Sequence, residues 1–248
     1  MNKRVMKKIA GIVVVSAILG TALMAQERND VIKVYNEGAK AVQTDIQAAI
    51  EAFENVITLA DKVGESAADL KEKASKVLPG LYFKAAYKAL SDKKPATEVI
   101  QAAKKTVAAS EKYGSAANKE NAGKILIQAY NTMANDYFAQ NDYENALLAF
   151  DSLLLINPSY TNAIYNKALI YMRQSDNDAF EQTIDLFLTK LDSEKDEERI
   201  KQASTLALEY FRAAGSQASQ ADNLDEALVM LNKAAKYGDD KDLFYFFN

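Results

Sequence analysis

The chain has 248 residues, 49% hydrophobic and 26% charged, with a net charge of −4, the composition of a folded protein. It contains no cysteine and no histidine, which excludes disulfides, thiol nucleophiles, thiolate metal sites and every catalytic constellation built on an imidazole. Three prolines and nine glycines are too few to cut a chain of this length into a β-sandwich, whose turns recur every roughly 8–12 residues.

The N-terminus places Lys3, Arg4, Lys7 and Lys8 ahead of an uncharged stretch from Ile9 to Met24, with Ala25 just before Gln26 and Glu27. A positive region, an apolar stretch and a small-residue cleavage site in that order form the layout of a secretory signal peptide. Cleavage is expected after Ala25, with Ala22 as the alternative. As a helix the uncharged residues from Ile9 to Ala25 would extend about 25 Å, short of the roughly 30 Å hydrocarbon core of a bilayer, so removal is favoured over retention as an anchor. Removal takes four of the 30 basic residues and none of the 34 acidic ones, leaving a mature chain at −8. A chain so acidic, without a basic stripe, predicts no nucleic-acid partner and no attraction to anionic membrane surfaces, and cleavage of the segment leaves the expectation of no stable membrane insertion. The expected location is periplasmic or extracellular.

From Asp30 onward, apolar and alanine positions recur in steps of three and four, the helical period. Ile46, Ala49, Ile50, Phe53, Val56 and Ile57 form one stripe, and Leu78, Tyr82, Ala85, Ala86, Ala89 and Leu90 another. Leu147, Phe150, Leu153, Leu154 and Ile156 come next, and Leu224, Leu228, Leu231 and Ala234 make the last. The breaks between them are short and polar: Gly64–Ser66, Ser91–Pro95, Gly114–Ser115, Gln140–Asp142, Asn157–Ser159, Asp192–Glu198 and Gly215–Asp222. Short connections make consecutive helices antiparallel neighbours. Asn223, with Glu226 three residues on, predicts an N-cap and its capping-box partner, and Pro158 prevents the preceding helix from continuing.

Residues 127–160 resemble one tetratricopeptide (TPR) repeat of 34 residues. The matching positions are Tyr130 in place of the usual tryptophan, Ala134 where the two helices touch, then Tyr137, Tyr143, Ala146, Phe150 and Pro158. The next unit starts in phase at Thr161 with Ala168 and Tyr171, and reaches Phe187 after a longer turn. A further unit carries Ala207, Tyr210, Ala227, Leu231 and Ala234. Gly38, Ala49, Ile50, Phe53 and Val56 resemble an earlier unit, and Ala85, Ala103, Val107 and Tyr113 another. The resemblance implies an all-α fold, an α-solenoid of about five antiparallel helix pairs over residues 26–248. It implies a protein that binds protein or peptide partners and needs no cofactor.

In this family the first helix of each pair lines a groove that receives a peptide. By resemblance Asn131, Asn135 and Phe138 face it from one unit. Asn162, Tyr165, Asn166, Leu169, Met172 and Arg173 face it from the next, and Lys201 from the third. Some members clamp a peptide's C-terminal carboxylate there with two asparagines, two lysines and an arginine. Asn135, Asn166 and Lys201 match that set, whereas Asn131 replaces one lysine and Thr205 replaces the arginine. Losing two charged donors, at about 1.5–3 kcal/mol each, weakens such a clamp a hundredfold or more. The expectation is therefore a polar peptide groove at Asn131, Asn135, Tyr165, Asn166, Met172 and Lys201, with no catalytic and no metal-binding residue.

Other motifs read as surface features. Ser91-Asp92-Lys93-Lys94 fits a bare Ser-x-x-Lys pattern but lacks the companion motifs of such hydrolases. Asp176-Asn177-Asp178 begins like a calcium loop without its glycine. The charge run from Asp192 to Arg199 reads as a linker and helix start. Two alternatives of other classes are a hydrolase of envelope material working through paired carboxylates, and a structural protein that self-associates through Phe244, Tyr245, Phe246 and Phe247. The export reading has a direct check. N-terminal sequencing of the mature protein should begin at Gln26, and Met1 retained in a membrane fraction would refute it.

Overall fold

The computed structural model describes residues 26–238. Helix covers residues 26–41 (α1), Ile46–Val63 (α2), Ala68–Ser91 (α3), Ala96–Tyr113 (α4), Ala116–Ala139 (α5), Tyr143–Ile156 (α6), Thr161–Arg173 (α7), Asn177–Thr189 (α8), Glu197–Gln220 (α9) and Leu224–Ala235 (α10), with one 3-10 turn at Gly64–Ala67. No strand occurs among the described residues, so the all-α expectation holds. No helix among them is long and apolar enough to cross a membrane. The signal segment at 1–25 and the aromatic run at 244–247 lie outside the described residues.

One device reverses the chain four times. Lys93, Asn141, Ser175 and Asp222 have φ of 53°, 60°, 57° and 59°. Each donates its N–H to the carbonyl three residues back, on Leu90, Phe138, Met172 and Ser219. The next N–H reaches five back, from Lys94 to Ala89, Asp142 to Tyr137, Asp176 to Tyr171 and Asn223 to Ala218. This left-handed closure satisfies carbonyls that a helix end leaves orphaned. In three of the four, the next residue then caps the new helix. Asp142, Asp176 and Asn223 accept the N–H of Asn145, Ala179 and Glu226 through their side chains. Glu226 also accepts a 2.6 Å hydrogen bond from the Asn223 carboxamide, so the predicted capping pair forms through side chains. Asn141 and Ser175 stand one TPR period apart: the repeat seen in the sequence is a repeat of geometry.

The described helices group into two compact units that divide within α5, between Ala129 and Tyr130. In the first, Ala49, Ile50, Phe53, Val56 and Ala60 of α2 meet Leu70, Ala74, Leu78 and Leu81 of α3, and Val31 of α1 joins them. Gly38 lets α1 cross α2 closely, since a Cβ there would stand 3.0 Å from the Ala52 Cβ. In the second, Ile164 and Ala168 of α7 enclose Phe180, Ile184 and Phe187 of α8 together with Ala203, Ala207 and Phe211 of α9 and Met230 and Ala234 of α10. The predicted contact residues Ala134, Ala146, Ala168 and Ala207 are all fully buried.

Two expectations are corrected near the end of the second unit. Gly215 does not open a turn: α9 runs on to Gln220, and the turn is confined to Ala221–Asn223. Gly215 is buried in the helix because Leu231 sits against it, and an added Cβ would come within 2.9 Å of the Leu231 Cγ. That seat fixes the rotation of α10. Its buried residues are Ala227, Met230 and Ala234, whereas Leu224 and Leu228, expected in the core stripe, are 65% and 53% exposed.

A left-handed backbone costs a non-glycine residue roughly 1–2 kcal/mol. Lys93→Gly should therefore raise stability by about 0.5–1 kcal/mol. Gly114→Ala, at the left-handed C-cap of α4 with φ 76°, should lower it by a similar amount. Chemical denaturation of the two variants should show midpoint shifts of opposite sign.

Candidate functional site

The six residues expected to line a groove lie on α5, α7 and α9 of the second unit. The Asn166 carboxamide donates to Asn135 Oδ1 at 3.2 Å in a part-buried setting, which ties α7 to the end of α5. Asn131 is one helical turn before Asn135, half-buried. A carboxamide has two donor hydrogens and an oxygen with two lone pairs. The bond between the two asparagines uses one donor and one lone pair, so both amides keep capacity for a further partner.

Tyr165 and Met172 are half-buried and pack against the core of this unit. The Tyr165 ring lies 5.0 Å from that of Phe187. These two side chains are rooted in the core and present only part of their surface outward, which makes them fixed apolar contacts instead of mobile anchors. Lys201 is exposed on α9. Among the described residues no hydrogen bond or ion pair joins it to the other five.

Arg199, which the sequence placed in a solvated helix start, is the tie between α9 and α7. Its guanidinium donates to Thr161 Oγ1 at 2.9 Å and to Asn162 Oδ1 at 3.1 Å, pairs with Asp196 at 3.2 Å, and lies 5.3 Å over the Phe187 ring. Arg173 plays the corresponding part at the other end of α7, 4.8 Å over the Phe138 ring. Two stacked arginines thus brace the face where the asparagines sit. The aspartate three residues before Arg199 was the one local signal for it.

The acidic residues along α8, and Asn177, are already engaged. Asp176 caps the helix, Asn177 accepts the Tyr210 hydroxyl at 2.7 Å, and Asp178 pairs with Lys233. Glu181 takes Lys233 at 3.0 Å and Lys236 at 3.1 Å. Asp185 holds Lys236 and accepts the Tyr237 hydroxyl at 2.8 Å. Burial, then the hydrogen bond to Asp185, push the Tyr237 hydroxyl above its usual range, and the bond to Asp185 holds the Lys236 ammonium up as well. This set clasps α10 to α8. Ser91 to Lys94 form the exposed α3–α4 turn, where Asp92 pairs with Lys88 at 2.8 Å. Among the described residues no carboxylate cluster is placed to hold a metal ion.

No family model and no curated protein matches this chain. Among solved structures it is similar to MamA at 16% identity and a TM-score of 0.29, covering 84% of this chain and 91% of that one. It is similar in the same degree, 16% and 0.29, to the TPR2AB domain of yeast Sti1 in its pHSP90 complex, covering 84% and 99%. For the nearly identical TPR-like repeats of a Podosopora anserina kinesin light chain the values are 14% and 0.26, covering 85% and 95%. Likeness at this level carries no weight for function, and the all-helical paired fold stands on the chain's own turns and cores.

The site residues separate from the core by mutation. Ala134 is fully buried, and Ala134→Trp should cost about 1–3 kcal/mol or more by overpacking. Asn135→Ala removes one part-buried hydrogen bond and should cost about 1 kcal/mol or less. Equal thermal shifts for the two variants would overturn this placement.

Proposed function

We propose that this chain is an exported, non-catalytic TPR-type scaffold that holds an extended segment of another protein along the face formed by α5, α7 and α9, in the service of envelope assembly or secretion. The observation that carries the binding half is the Asn166–Asn135 amide pair, rooted on two helices, braced by Arg173 and Arg199, and flanked by the fixed apolar surfaces of Tyr165 and Met172. Carboxamides oriented in this way match the alternating donors and acceptors of an extended backbone. Tyrosine and methionine beside them supply an amphipathic ring and an adaptable thioether for whatever side chains the segment carries. The export half rests on the order of charge, apolar length and small residues in 1–25.

The mature chain should capture a protein from the native envelope, and a peptide of that protein should compete. Joint replacement of Asn135 and Asn166 by alanine should weaken the peptide about tenfold or more, from two hydrogen bonds of about 1 kcal/mol each. Tyr165→Ala should cost more than Lys201→Ala for a segment held internally. The order should reverse, with marked salt sensitivity, for a C-terminal carboxylate. Because Tyr165 also touches Phe187, affinities are read beside thermal melts. Full affinity in all these variants would rule this face out.

A further inference from the structure

We propose that the second unit carries a further interaction surface, a trough beside the last turns of α9 that receives a lysine or arginine side chain of a basic partner protein. The two units differ in charge. Residues 26–129 hold 16 basic and 14 acidic side chains, a net charge of +2, whereas residues 130–238 hold 9 and 17, a net charge of −8. Some of these carboxylates stand at helix starts, where they offset the helix dipole. That accounts for their places but not for the scarcity of lysine around them, since the first unit has helix starts of its own and balances its charge. A field of one sign draws partners of the other.

The trough follows from unequal helix lengths. Arg199, near the start of α9, is tied to Thr161, the first residue of α7. From that level α7 ends at Arg173 while α9 runs on to Gln220, about nine residues or roughly 14 Å further. Leu231 of α10 covers one side of this extension at Gly215. Another side stands by the α7–α8 turn and leaves a trough of about 470 Å³, lined by Ala213, Ala214, Ala218 and Ala221 beside the half-buried Tyr210. No lysine or arginine lines it, and the one charged group that does is Glu226. One carboxylate oxygen of Glu226 accepts the Asn223 amide at 2.6 Å, which holds the group in place and leaves its other oxygen to a second donor. Asp176 and Asp222 each stand between two residues of the lining and add to the negative potential at the mouth. This combination fits a long aliphatic stem that ends in a cation. The methylenes lie along the alanine methyl groups while the charged head stays at the wet mouth, the way lysine and arginine cover apolar surface. An acidic side chain would meet Glu226 instead. The Asn135–Asn166 pair lies outside this trough, so each surface can be lost without the other.

The probe is a dye-labelled lysine oligomer, with a glutamate oligomer for comparison, titrated with the full chain and read by fluorescence anisotropy. The lysine oligomer should bind and the glutamate oligomer should not. Glu226→Gln keeps an oxygen for Asn223 and should weaken binding about three- to fivefold, the scale of one exposed ion pair. Ala213→Leu, at an exposed position of the lining, fills the trough without changing the charge and should weaken binding at least as much. Glu144→Gln removes an exposed carboxylate of the same unit outside the trough and should change affinity by less than about twofold, as screening of separated surface charges requires. Joint replacement of Asn135 and Asn166 by alanine should leave it unchanged. No binding of the lysine oligomer, equal losses for Glu144→Gln and Glu226→Gln, full affinity in Ala213→Leu, or a loss in the asparagine variant would each overturn the proposal.

Discussion

The second unit depends on a trade of volume between helices: alanine on one side, phenylalanine on the other. Ala168 of α7 and Ala203 and Ala207 of α9 are fully buried. The space beside such small side chains is taken by Phe180 and Phe187 of α8 and by Phe211 of α9 itself. Phe180 meets Tyr210 at 4.8 Å and Phe211 at 5.4 Å, so α8 and α9 are locked by three rings. Interiors tolerate neither voids nor crowding, and the pairing of small with large therefore sets both the spacing and the order of the helices. Once it is set, the first helices of successive pairs are brought side by side, and Asn135 meets Asn166 as a consequence.

Electrostatics obeys that packing and does not lead it. Half of the ion pairs among the described residues join two exposed partners, as in Lys76 with Glu72 and Lys124 with Glu120, and pairs of that kind contribute about 0–1 kcal/mol. The α8–α10 clasp differs in having five charged groups and a tyrosine in one network, with the Lys233 side chain only 14% exposed. It pins the outer side of α10 after Leu231 has chosen its rotation at Gly215. The two constraints together explain why α10 shows water its leucines and the core its methionine.

Much of this fold was legible because helical periodicity and short polar breaks are local signals. The 34-residue phase placed Ala134, Ala146 and Ala168 correctly, since small residues at fixed intervals can be read without knowing what fills the gap beside them. Gly215 misled because a glycine reads alike whether it ends a helix or admits a side chain from across an interface; only the position of Leu231 tells the two apart. Leu224 and Leu228 misled for the same reason: a 3–4 periodicity shows that a stripe exists, not which neighbour meets it. The four left-handed turns left no glycine to announce them. The six groove positions came from the repeat register. Their identities could not reveal that two asparagines bond each other, or that Tyr165 leans on Phe187. Arg199 was hidden in a run of charge because its partners, Thr161, Asn162 and Phe187, are distant in sequence.

The choice of amides over charges at the α5–α7–α9 face has a physical consequence for recognition. A part-buried lysine in place of Asn131 would carry a desolvation cost that an anionic partner offsets. Neutral amides impose no such demand, and each hydrogen bond they make is worth only about 1 kcal/mol. On the proposed reading, affinity comes from several contacts made in register along one extended partner. That requires a rigid platform, since every side chain ordered on binding subtracts from the gain. The stacked Arg173 and Arg199, and a tyrosine and a methionine already half-fixed by the core, supply that rigidity before any partner arrives. On the proposed reading, the features that make these residues look structural are also what a weak, multi-contact face needs in order to bind.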